Sequence, residues 1–284
     1  MATALIAHNG IEQITDRLRH ANSNRDHIMV VAHRGSWQRG GKSVLAENSI
    51  SAIDRAVGLG AEMVELDVRK TADGEYVIIH DATLDRTTNS SGKVADKTLA
   101  EVRSCRLVVE GTGEETNETV PTLREAYAAI DGRILMNVDI KIDVGALVNV
   151  MRIAREMGVD RQIVVKAPTG TTKQVDILQK VLETIGFPVQ FMPVLDDFDI
   201  LDMAPIETAY GAFAPDVIEI LHRWKDGAPL TENGGILFCD AAKTLAREHD
   251  AHVWVNTLRD NGRATFSGGR GDPIEASPGD QDAG

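Results

Sequence analysis

The residues able to do chemistry in this chain sit where apolar runs end. Val30-Val-Ala-His33-Arg34-Gly35 closes on a histidine and an arginine. Met63-Val-Glu65-Leu-Asp67 sets two carboxylates at i and i+2, positions that share one face of an extended strand. Tyr76-Val-Ile-Ile-His80-Asp81 closes on His-Asp, and Met136-Asn-Val-Asp139-Ile-Lys141 again spaces opposite charges by two. Three carboxylates (Glu65, Asp67, Asp139) suit a hard divalent cation, Mg2+ or Ca2+. Arg34 and Lys141 suit an oxyanion, most naturally a phosphate. His33 and His80 have the chemistry of a general base and a general acid near neutral pH. Together these groups describe metal-assisted phosphoryl chemistry.

Each residue also has a plainer reading. One histidine at a strand end is usually structural; two, each beside a charged neighbour, are harder to dismiss. Glu65 and Asp67 stand among Met63, Val64, Leu66 and Val68, which is no solvated face, and buried unpaired carboxylates are costly. Asp139 and Lys141 also fit a structural ion pair. Lys166 ends the run Ile163-Val-Val-Lys166 and is read as substrate-binding, with a surface lysine as the rival reading. Trp254 either stacks on substrate or fills the core. Trp37, Arg39 and Lys42 read as loop surface. Cys105 and Cys239 have no neighbouring His-Asp arrangement, which leaves thiol catalysis unsupported.

The elements that must position these residues alternate. Strands are expected at 28–33, 63–68, 76–81, 134–141, 162–167, 189–195, 217–221 and 252–258. Helices are expected at 11–20, 49–59, 123–130, 145–157, 174–185 and 241–249. The strands are continuous Val/Ile-rich runs, as in sheets buried on both faces. Strand–helix alternation implies parallel pairing. About eight such strands point to an α/β fold of the TIM (β/α)8-barrel type, whose active sites lie at the C-terminal strand ends. A doubly wound sheet would bring a Gly-rich phosphate loop, and the sequence has none. Residues 1–27 read as an N-terminal helix and linker, 28–260 as the barrel, and 261–284 as a Gly/Pro/Asp-rich loop or tail. Residues 110–119 read as a polar surface loop.

Composition narrows the class. With 284 residues and 43% hydrophobic content, the chain can bury a sizeable core. Its net charge of -13 argues against a nucleic-acid partner and against anionic membranes. That charge also repels an anionic substrate, so local cations must hold it. Two cysteines give no disulfide framework. No apolar run is long enough for membrane insertion, and the one at the N-terminus is too short for a secretion signal. A cytoplasmic protein is expected.

The stretch from Val30 to Thr88 resembles the glycerophosphodiester phosphodiesterase family. The matching pieces are His33-Arg34-Gly35, Glu47-Asn48, Glu65-Leu-Asp67 and His80-Asp81. Asp139-Ile-Lys141 is similar to the family's Glu-Ile-Lys strand, and Val253-Trp254 to its late Trp strand. The resemblance implies a barrel that hydrolyses a small-molecule phosphodiester with a divalent metal, releasing an alcohol and a glycerol phosphate. By position, His33 and His80 become the acid/base pair. Glu65, Asp67 and Asp139 become the metal holders with Glu47 close by, and Arg34 and Lys141 the phosphate clamp.

Three departures accompany the match. Asp139 stands where the family has Glu. Residues 35–47 form a longer loop. Family chains continue past the Trp strand to one ending in Thr-Asp, whereas this chain runs into a Gly-rich segment, so an atypical or incomplete closure is expected. An incomplete barrel exposes an edge that a homo-oligomer would cover. The rival functions are the same chemistry on a sugar phosphodiester of the agrocinopine-type opines, metal-assisted proton abstraction beside a carbonyl, and a phosphodiester-binding protein without turnover.

Overall fold

The computed structural model describes residues 10–40, 42–196, 200–221 and 235–256. The expected tail at 261–284 and the end of the last expected strand lie outside these residues. The described chain divides into two compact units. The first holds the residues up to 16 and 27–164; the second holds 17–26 and those from 165 onward.

Helix α1 (Ile11–Arg19) opens the described chain. In the first unit, β1 (Val31–His33) is followed by a hairpin of β2 (Gln38–Arg39) and β3 (Lys42–Ser43). Helix α2 (Ile50–Gly58) then leads to β4 (Met63–Lys70). The Ser49 side chain caps α2 by accepting from the Ala52 amide, and Ala52, Ile53 and Ala56 form its buried stripe. Strand β4 buries six consecutive residues, as a strand covered on both faces must. It pairs parallel with β1 on one side.

The expected strand at 76–81 is shorter and runs the other way. β5 (Tyr76–Ile78) pairs antiparallel with β4, Val68 facing Ile78 and Lys70 facing Tyr76. The reason is connection length. Parallel pairing needs a crossover of a dozen or more residues. Here the chain turns at 71–75, where the Thr71 amide donates to the Glu75 carbonyl and Gly74 takes φ +92°. His80 is thus delivered by a hairpin arm, not by a crossover strand.

After α3 (Leu99–Arg103), the expected surface loop at 110–119 holds part of a small hairpin instead, β6 (Val108–Val109) against β7 (Glu114–Glu115). Val77, Ile79, Leu84, Val102, Leu107 and Val120 pack together beneath this region. Each fully buried aliphatic side chain of this kind contributes roughly 1.5–3 kcal/mol. Helix α4 (Leu123–Ile130), started by a reciprocal Thr122–Glu125 cap, leads to β8 (Leu135–Ile140), which pairs parallel with the other side of β4. Helix α5 (Leu147–Met157) ends on left-handed Gly158.

Strand β9 (Ile163–Pro168) straddles the division between the units. The second unit continues with α6 (Thr172–Ile185), β10 (Gln190–Asp196), α7 (Ala204–Phe213), β11 (Val217–Leu221), α8 (Asp240–Glu248) and β12 (His252–Val255). β10, β11 and β12 pair parallel in that order. Its core gathers Leu195, Ile206, Tyr210, Ile218, Ile220 and Leu237. His249 stacks on Tyr210 at 4.7 Å, and burial pushes the Tyr210 phenol up to about 12. Among the described residues, seven of the eight expected strands are linked by helical crossovers, the segment at 76–81 being the exception.

Candidate functional site

The first unit brings most of the expected residues into one row. Parallel pairing sets His33 opposite Glu65, Glu65 opposite Asn137, and Asp67 opposite Asp139. Neighbours in register share a face, as do residues two apart. One face of β1, β4 and β8 therefore carries His33, Glu65, Asp67, Asn137 and Asp139. Glu65, Asp67 and Asp139 each offer an oxygen, and these lie within 4.8 Å of one another. Oxygens ligating a single Ca2+ at about 2.4 Å are at most about 4.8 Å apart, so the set has the size and donor type for such an ion.

Asp67 is the most constrained of the three. Its Oδ2 accepts from Asn48 Nδ2 at 2.8 Å and faces Arg34 Nε at 3.5 Å. Its buried Oδ1 accepts no hydrogen bond and lies 3.4 Å from Lys141 Nζ. Lys141 Nζ also donates to Asp139 Oδ2 at 3.2 Å. Burial pushes the Asp67 carboxyl up, but Arg34, Lys141, His80 and the Asn48 amide outweigh it, holding Asp67 well below the usual carboxylate range. It is a fixed anion with one oxygen still able to accept.

Arg34 is held by an unusual backbone. It has φ +51°, and Gly35 after it has φ +78°. A non-glycine in this region is strained, and such strain persists only where surrounding contacts impose it. Here the Arg34 amide donates to Glu65 Oε2 at 3.2 Å, and its carbonyl accepts from the Asn48 amide at 2.9 Å. Asn48 is itself left-handed, at φ +56°. The Arg34 guanidinium meets both Glu47 oxygens at 3.3 and 3.2 Å. Its side chain is only 4% exposed. His33 is more open, with Nε2 3.8 Å from Glu65 Oε2.

The loop between these residues is partly anchored. Trp37, expected at the surface, is buried, whereas Arg39 and Lys42 are exposed. Arg55 explains part of this, because its Nη1 donates to the Ser36 and Gln38 carbonyls at 2.6 and 2.7 Å, tying the loop to α2.

His80 is buried, with Nδ1 2.8 Å from Asp81 Oδ1. Arg86 grips Asp81 with a two-pronged contact, Nε to Oδ2 and Nη2 to Oδ1, both 2.8 Å. Arg86 Nη2 also reaches Glu47 Oε1 at 2.8 Å, and Nη1 faces Glu110 Oε1 at 3.5 Å. Burial pushes Asp81 up, but the His80 and Arg86 hydrogen bonds hold it well below the usual range. Asp81 is thus an acceptor, and His80 Nδ1 carries the proton between them.

Lys166 and Trp254 belong to the second unit. Lys166 Nζ lies 3.3 Å from buried Glu219 Oε2. Glu219 Oε1 accepts from Asn256 Nδ2 at 2.8 Å, and Asn256 Oδ1 accepts from Trp254 Nε1 at 2.7 Å. Sequence reasoning did not single out Glu219, Asn256, Arg86 or Glu110. Their only signal was a polar residue beside a strand or a motif, which is weak on its own. Asn48 was visible within Glu47-Asn48, without a role.

The family model described as "Glycerophosphoryl diester phosphodiesterase family" matches residues 33–179. A glycerophosphodiester phosphodiesterase of Caldanaerobacter subterraneus subsp. tengcongensis is 42% identical over 114 residues, covering 40% of this chain and 45% of that protein. The chain spans less than half the length of the curated relatives it matches. A glycerophosphoryl diester phosphodiesterase structure from Parabacteroides distasonis aligns over 86% of this chain and 76% of its own, with a TM-score of 0.62 and 20% identity. An Oleispira antarctica phosphodiesterase, solved with the product sn-glycerol-3-phosphate, aligns over 69% and 76%, with a TM-score of 0.50 and 22% identity. The fold is thus the TIM-barrel class expected from the sequence. The chain belongs to the glycerophosphoryl diester phosphodiesterase family.

Proposed function

We propose that this chain is a divalent-metal-dependent phosphodiesterase that hydrolyses a glycerophosphodiester-type substrate to a glycerol phosphate and an alcohol. The carrying observation is the convergence of Glu65, Asp67 and Asp139 beside two cations, Arg34 and Lys141. Glu65, Asp67 and Asp139 would hold Mg2+ or Ca2+, with Glu47 beside them. The ion, when bound, supplies a Lewis acid that polarises the phosphoryl oxygens. The orphaned Asp67 Oδ1 and the all-oxygen donor set fit such a group.

The protein's own residues do the rest. Arg34 and Lys141 bind and orient the phosphate. One histidine of the His33/His80 pair takes the proton from the attacking oxygen as the new P–O bond forms. The other gives a proton to the departing alcohol as its P–O bond breaks. Lys166 and Trp254 are proposed to contribute to substrate binding. The relatives' names and the glycerol phosphate held by the Oleispira antarctica protein support the substrate class. No helix among the described residues is long and apolar enough to cross a membrane. A cytoplasmic location and the absence of a nucleic-acid partner rest on the free cysteines and the net charge of -13.

The test is turnover of glycerophosphocholine, glycerophosphoethanolamine and a sugar phosphodiester with Mg2+, Ca2+ or EDTA, following phosphomonoester release. Metal-dependent release supports the reading. A strong preference for the sugar diester transfers it to the opine-type substrate. No release by a folded protein that binds the diesters makes it a binding protein.

A further inference from the structure

Arg86 touches no reacting group, yet it joins three carboxylates of the first unit. Its contact with Asp81 uses two parallel N–H donors against both oxygens, which fixes the plane of the carboxylate as well as its position. Asp81 follows His80 directly, and its Oδ1 lies on the His80 Nδ1 side of the ring. A carboxylate held by one contact can swing about its side-chain torsions. One held by a fork cannot. The same guanidinium spans to Glu47, whose oxygens in turn receive Arg34. A single rigid cation therefore links the His80 arm to the loop that carries Arg34.

We propose that Arg86 is a positioning residue that acts through Asp81, locking His80 in the Nδ1–H form so that Nε2 alone carries the lone pair. This rests on the proposed function for its effect on rate, but not for its effect on the ring. The imidazole then presents one nitrogen with one orientation, which is what proton transfer at a fixed atom requires. Lysine keeps the charge and not the fork, so it separates geometry from electrostatics.

The experiment uses Arg86→Lys, Asp81→Asn and the double variant in the full chain, with 15N-labelled histidine and His80→Gln to assign the signals. At one pH, wild-type His80 should show one protonated Nδ1 and one unprotonated Nε2. In Arg86→Lys these two nitrogens should average towards each other. Loss of such a partner costs roughly 10–100-fold; that loss should fall on kcat, with KM changing less than threefold. The double variant should be no slower than Asp81→Asn alone, because the two residues act in series. A wild-type His80 signature in a folded Arg86→Lys overturns the proposal, as do independent, multiplying losses in the double variant. If Arg86→Lys does not fold, Asp81→Asn carries the nitrogen test alone, and an unshifted ring there also overturns it. If the wild type turns over no diester while the nitrogen shifts appear as expected, the functional reading fails and the positioning role stands.

Discussion

Asn48 holds Asp67 by two contacts. Its Nδ2 donates to Asp67 Oδ2 at 2.8 Å, and its Oδ1 accepts from the Asp67 backbone amide at 3.3 Å. The amide thus fixes both the side chain and the strand that carries it. Replacing Asn48 with Ala removes a donor from a buried anion, which costs roughly 1–3 kcal/mol. Thermal denaturation should show that loss. Calorimetric titration should show divalent-metal affinity falling by roughly 10–100-fold, as expected for a residue that orients a ligand. Unchanged metal affinity would detach Asp67 from the metal.

Lys141 stands between Asp67 and Asp139 at 3.4 and 3.2 Å. Replacing it with Met should raise KM for the diester, because a phosphate partner is gone. Metal affinity should stay the same or rise, because a competing cation has left the carboxylates. Weaker metal binding together with unchanged KM would reverse the assignment of Lys141.

Gly35 has φ +78°, and a Cβ there would come 2.7 Å from Ala52 Cβ and 2.9 Å from its carbonyl carbon. Gly35→Ala combines a left-handed backbone penalty of about 1–2 kcal/mol with a backbone clash. A stability loss of more than about 2 kcal/mol should appear in denaturant unfolding. Activity should fall with it, since Arg34 is the preceding residue.

Asp81 has a folded-state pKa held below its ordinary value by His80 and Arg86 against the opposing effect of burial. A depressed carboxyl adds stability that is fully present above its unfolded pKa, about 4, and is lost as pH falls through the folded value. Wild-type protein should therefore lose stability progressively below about pH 4. Asp81→Asn should be less stable at neutral pH and flatter across the acid range. Parallel acid limbs for the two proteins would count against the His80–Asp81–Arg86 chain.

Much of the arrangement is legible from the i, i+2 carboxylates of β4 and the Asp139–Lys141 pair of β8, because side-chain alternation in a strand fixes which residues share a face. The helices expected at 49–59 and 123–130, found at Ile50–Gly58 and Leu123–Ile130, are equally local. What the sequence hides is non-local or conformational. The direction of the 76–78 segment depends on the turn at 71–75, not on its own apolar run. The burial of Trp37 depends on Arg55 across the loop. Arg86 meets Glu47 and Glu110 only through the fold, since both lie far from it along the chain. The left-handed backbone at Arg34 and Asn48 has no glycine to announce it.

The reversal at 71–75 also bears on the chain entropy that assembling the site costs. Joining two strands through a tight turn closes a short loop, which costs little chain entropy. β4 and β5 are such a pair, and they bring the segment carrying Glu65 and Asp67 beside the arm leading to His80. Asp139, roughly sixty residues beyond His80, is brought in by the parallel pairing of β8 with β4. The acid–base arm and two of the three carboxylates thus belong to one short-range unit, whereas the third joins them through a long-range pairing that costs more chain entropy.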